Sequence, residues 1–143
     1  MKIRIVMNNF ENKAREQQVL AMVEKLKYIL PNWVETVSLC DVSGESNDCC
    51  CINCDPEYRQ VVISLYPGFF EGSEEKQLRY LLHEFSHTVC TCYFKWCERH
   101  LLGFIEERHP EAYAVLKPLH TEKLEEFTQD LRNSLIRHYE ATQ

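Results

Sequence analysis

The 143 residues fit one domain, with enough mass for a hydrophobic core. An apolar fraction of 45% and a charged fraction of 27% are those of a globular protein, while the net charge of −6 and pI of 5.5 exclude the basic footprint of a nucleic-acid binder. No segment has the apolar length of a membrane span, and MKIRIVMNNFENKAREQ lacks the apolar run and small-residue cleavage site of a signal peptide, so a cytoplasmic location is expected, with neither nucleic acid nor membrane as partner.

In chain order, residues 2–7 alternate as KIRIVM and predict a short strand with Ile3 and Ile5 on one face. Val19, Met22, Val23, Leu26 and Leu30 recur at helical spacing and predict a helix over residues 12–30, stopped by Pro31. Residues 33–40 read as a strand with Trp33, Val37 and Leu39 on one face, and the polar stretch 41–48 as a loop. Residues 50–54 and 59–66 predict two strands joined through Asp55-Pro56-Glu57. Asp-Pro favours a turn, and the short connection specifies an antiparallel hairpin.

The remainder is helical in character. Ser73, followed by Glu74 and Glu75, is a helix cap with acidic residues in the first turn, and the helix should run past His87. Breaks are expected near His109-Pro110 and Lys117-Pro118, with Thr121 capping a last helix that reaches about residue 138. No repeat or dividing linker is present. The expectation is a single α+β domain, with a small mixed or antiparallel sheet packed on helices. Nothing in the pattern specifies an oligomeric state.

Eight cysteines form two groups, Cys40, Cys49, Cys50, Cys51 and Cys54, then Cys90, Cys92 and Cys97. Without a secretion signal they are expected as reduced thiols, several of them small core residues. Cys51-Ile-Asn-Cys54 has the spacing of a zinc knuckle or redox pair, but no second pair at matching spacing accompanies it.

The segment that carries chemistry is His83-Glu84-Phe85-Ser86-His87, an H-E-x-x-H match. Given the composition, about 0.03 chance occurrences are expected. On a helix, residues four apart stand one turn above each other, so two imidazoles reach one ion with the carboxylate beside them. Leu78, Leu81, Phe85, Val89, Cys92 and Trp96 form an apolar stripe, and His83 and His87 lie roughly 150–170° from its centre. Core and histidines are therefore expected on opposite helix faces.

The strand RQVVISLYP followed by LRYLLHEFSHTV resembles the core of the zincin metallopeptidases, especially compact gluzincin-like members of bacterial and phage type. The likeness covers about residues 33–135, and only the five-residue motif in it is specific. It implies a minimal zincin-like domain, a Zn2+ ion on His83 and His87, Glu84 as general base, a peptide or protein substrate, and a sheet edge that holds an extended peptide. A catalytic zinc takes a third protein ligand. The metzincin-type extension is excluded, because Cys90 and Tyr93 stand where it needs Gly and His. His100 lacks the glycine context of a third histidine.

In its gluzincin-like branch the resemblance implies a glutamate from a later helix. Glu122, Glu125 and Glu126 open the last predicted helix, whose expected buried stripe is Leu124, Phe127, Thr128, Leu131 and Leu135. Glu125 borders that stripe at about 100° from its centre, whereas Glu126 points away. Glu125 is preferred on that ground, and Glu126 is the alternative, because Glu126 with Asp130 has the ExxxD spacing of larger gluzincins. Tyr93, His100, His109, Tyr113 and His120 are the candidates for stabilising an oxyanion. The competing expectation is a zincin-shaped regulatory or interaction module that binds zinc and cleaves nothing. A further one puts the metal on the cysteines. His₂Glu sites also accept manganese or cobalt.

Overall fold

The computed structural model describes residues 2–44 and 47–142. Glu45 and Ser46, part of the loop expected over 41–48, lie outside the described residues. The architecture mixes α and β, and the chain divides into two compact units, Met1–Val89 and Cys90–Gln143. The boundary falls inside a continuous helix and not in a linker.

The first unit begins with β1 (Arg4–Asn8) and α1 (Lys13–Leu26), which a single 3₁₀ turn extends. Asn12 caps α1: its Oδ1 accepts from the amides of Ala14 at 2.9 Å and Arg15 at 3.3 Å, satisfying donors that the first turn leaves free. β2 covers Thr36–Asp41 and starts later than expected, because a turn closes first, with the Val34 amide on the Pro31 carbonyl at 3.0 Å. Trp33 consequently precedes the strand and is half-buried, and Val34 takes the core position.

β3 (Cys50–Asp55) and β4 (Gln60–Leu65) form the expected antiparallel hairpin. Asp55 Oδ1 accepts from the amides of Glu57 and Tyr58, at 3.1 and 3.2 Å, which is how Asp shapes such a turn. At its end Arg59 takes a positive φ of 56°. The Arg59 carbonyl accepts from both Glu35 (2.8 Å) and Thr36 (3.2 Å), while its Nε donates to the Trp33 carbonyl at 3.3 Å and pairs with Glu35 at 3.1 Å. One residue thus clasps the hairpin to the start of β2.

The sheet is mixed, in the order β1-β2-β4-β3: β1, β2 and β4 run parallel, and β3 is an antiparallel edge. Even-numbered steps along a strand share a face. Val37 and Leu39 on β2, and Val61, Ile63 and Leu65 on β4, are fully buried on one face. α1 adds Val19, Met22, Val23 and Leu26 to the core. Phe69 on α2 (Pro67–Glu71) and Leu81, Leu82 and Phe85 on α3 (Glu74–Trp96) are also fully buried. Each large side chain so buried contributes about 1.5–3 kcal/mol.

The second unit contains the end of α3, a π-helical stretch over Cys97–Leu102, α4 (Gly103–Arg108) and α5 (Pro110–Ala141). The expected break at His109-Pro110 is present. The one at Lys117-Pro118 is not: α5 runs through Pro118, and Thr121 lies inside it with its hydroxyl on the Lys117 carbonyl at 3.1 Å. Proline removes one backbone donor, which orphans the carbonyl four residues back. Ala114 and Pro118 are both exposed, so that carbonyl is open to hydration and the helix survives. Among the described residues no helix is long and apolar enough to cross a membrane.

Candidate metal centre

The segment His83–His87 lies in the middle of α3. The start of this helix is tied down twice. Ser73 Oγ accepts from the Lys76 amide at 3.3 Å, as the capping pattern predicts. Gln77 is 2% exposed; its side chain donates to the Gly72 carbonyl at 3.2 Å and accepts from Gln18 of α1 at 2.7 Å. Two turns later the helix carries His83, Glu84 and His87.

His83 and His87 are half-buried, their rings meet edge to face with centroids 4.8 Å apart, and their Nε2 atoms are separated by 3.2 Å. Two nitrogens that each sit about 2.0–2.1 Å from one zinc at the tetrahedral angle stand roughly 3.3 Å apart. The pair therefore has the spacing of two ligands to one ion. The same separation accommodates an N–H···N bond between a neutral donor and acceptor ring. The donor chemistry and the spacing both fit zinc.

Glu84 is 8% exposed, and its Oε1 accepts from the Cys50 thiol at 3.6 Å. The neighbouring hydroxyls turn back on the helix, Ser86 Oγ to the Leu82 carbonyl and Thr88 Oγ1 to the Phe85 carbonyl, each at 2.6 Å. They are buried without demanding other partners. The expected apolar stripe holds at Leu81 and Phe85 and then fails: Val89, Cys92 and Trp96 are exposed, and Leu82, Cys90, Thr91 and Cys97 are buried. The simple opposition of an apolar face to a histidine face is corrected accordingly. Leu82, Glu84, Ser86 and Thr88 are buried around the histidines, so burial in this stretch is not confined to one stripe.

In the second unit, Glu125 and Glu126 are both exposed on α5. Glu126 holds Lys123 at 2.7 Å, an interaction that raises the lysine's pKa through the hydrogen bond first and the charge second. Of the stripe expected on this helix, Thr128 is fully buried, Leu124, Leu131 and Leu135 are half-buried, and Phe127 is exposed. Ile136 is buried in its place. Among the oxyanion candidates, Tyr93, His100 and His109 are exposed, and His120 packs against Phe94 at 5.3 Å between ring centroids.

All eight cysteines are outside any disulfide. Cys51 and Cys54 are three apart on β3, which sends them to opposite faces of the sheet. Cys51 meets the Tyr66 hydroxyl at 3.5 Å, and this hydrogen bond raises the phenol's pKa. Among the described residues, the cysteines contribute to no group of three metal donors. A separate cavity of about 830 Å³ lies at the carboxyl ends of β1 and β2, where Arg15 pairs with Asp41 at 3.8 Å and Asn12 caps α1.

The Cys50–Glu84 contact had no signal in the sequence, because it depends on where the end of β3 falls relative to a helix thirty-four positions away. No family model matches the chain, and no curated protein or solved structure matches it.

Proposed function

We propose that this chain is a zinc-dependent peptidase of the compact zincin type, with His83, His87 and Glu125 as metal ligands and Glu84 as general base. The observation that supports it most is the 3.2 Å approach of the two Nε2 atoms on one helix with a buried carboxylate between them in sequence. Two imidazoles and a carboxylate are the donor set of a hydrolytic zinc. Glu125 is preferred over Glu126 because it borders the expected buried stripe of the last helix, from which Glu126 points away. When bound, the ion acidifies water and polarises a carbonyl. Glu84 then takes the proton of the attacking water and passes it to the departing amide nitrogen. β3 is an edge strand of the sheet, a position suited to an extended peptide held by main-chain hydrogen bonds.

The test combines metal content with cleavage of a quenched-fluorescence peptide library. Wild type should carry one zinc, His83→Ala should lose it, and Glu84→Gln should keep it while hydrolysis falls at least about 100-fold. Zinc retained by His83→Ala would move the metal to other residues and overturn the assignment. Zinc bound with no cleavage of any peptide would leave a binding module in place of an enzyme.

A further inference from the structure

One contact to Glu84 comes from outside its own helix. Cys50 opens β3, and its Sγ lies 3.6 Å from Glu84 Oε1, with both residues buried, at 9% and 8% exposure. The thiol has a fixed origin: Cys50 pairs with Leu65 of β4, which is fully buried, and the next amide, Tyr66, bonds the Cys49 carbonyl at 2.9 Å. We propose that Cys50 is a positioning residue, whose S–H donates to Oε1 of Glu84 and holds the carboxylate in the orientation from which it exchanges protons with water. This rests on the peptidase assignment above.

Three properties make a buried thiol suited to the role. Burial, then the adjacent Glu84 charge, push the Cys50 pKa far up, so the sulfur keeps its proton and remains a donor. A carboxylate is acceptor-only and its two oxygens offer several lone-pair sites, so a single S–H donor does not exhaust its capacity to accept. S–H is a weaker donor than O–H, and it therefore orients the carboxylate while competing less with water for its oxygens. A serine at this position would donate more strongly over a shorter reach, and an alanine not at all.

The experiment compares Cys50→Ala and Cys50→Ser with wild type, on protein loaded with one zinc. Cys50→Ala should lower kcat by about 3- to 10-fold, the scale of one modest hydrogen bond, with KM and zinc content unchanged, and Cys50→Ser should recover most of the loss. A second readout does not need activity. The infrared S–H band that disappears in the wild-type minus Cys50→Ala difference spectrum should lie at the lowered frequency of a hydrogen-bonded thiol, and should move up in Glu84→Gln. An unshifted band, or a kcat for Cys50→Ala equal to wild type, overturns the positioning role. Wild-type protein that binds zinc and cleaves nothing overturns the peptidase assignment and this role with it. A band that moves in Glu84→Gln would in that case still establish the thiol–carboxylate contact, so the two failures are separable.

Discussion

The two units are built on different terms. In the first, strands from distant parts of the sequence meet, and Val19, Val37, Leu39, Val61, Ile63, Phe69, Leu81 and Phe85 are removed from solvent completely. In the second, helices follow one another, few apolar side chains are fully covered, and Tyr93, Trp96, Leu101, Phe104, Val115, Leu119 and Phe127 stay exposed. Complete burial of large apolar side chains is thus concentrated in the first unit. The difference predicts where each is vulnerable: packing defects should damage the first, and backbone changes should shift the second.

The largest expected effect separates two phenylalanines. Phe69→Ala removes a fully buried ring and should cost about 3–5 kcal/mol in urea unfolding, whereas Phe127→Ala, 51% exposed, should stay within about 1 kcal/mol. Equal losses would break the contrast. Next, Pro118→Ala restores a donor inside α5 and should stabilise the second unit by about 1–3 kcal/mol, read as slower amide exchange around Ala114. No gain would mean that the helix already tolerates the proline without cost.

The smallest effect sharpens the account of the buried thiol. The Cys50 pKa is raised above its ordinary value of 9.0. The unfolded chain therefore releases that proton first as pH rises, and binds fewer protons than the native state. Stability should accordingly be level with respect to this group below pH 9.0 and fall above it, by up to about 1.4 kcal/mol per pH unit. Cys50→Ala should flatten that alkaline decline, and an unchanged slope would place the thiol in water.

Elements with a strong local signal were legible from the residues. Apolar spacing located α1, Asp-Pro located the hairpin, and Ser73 marked the start of α3. The parallel pairing of β1, β2 and β4 was not legible, since register between distant strands is decided by packing that alternation alone does not encode. Pro118 misled because its rule describes an average helix interior, whereas this site is exposed. At the candidate centre, the motif singled out His83, Glu84 and His87, and the helix brings the two Nε2 atoms to 3.2 Å. Cys50 stayed hidden because its relevance is created by the sheet.

Arg59 has a consequence for variation at the hairpin. Its left-handed backbone would suit glycine, yet its carbonyl and guanidinium together fasten the turn to Glu35, Thr36 and Trp33. Glycine there would relieve conformational strain of about 1 kcal/mol and discard the side-chain half of the clasp, two changes of opposite sign and similar size. Drift at this position is therefore nearly neutral in stability while still altering how firmly one strand end is held, so the turn can exchange rigidity for ease without leaving the fold.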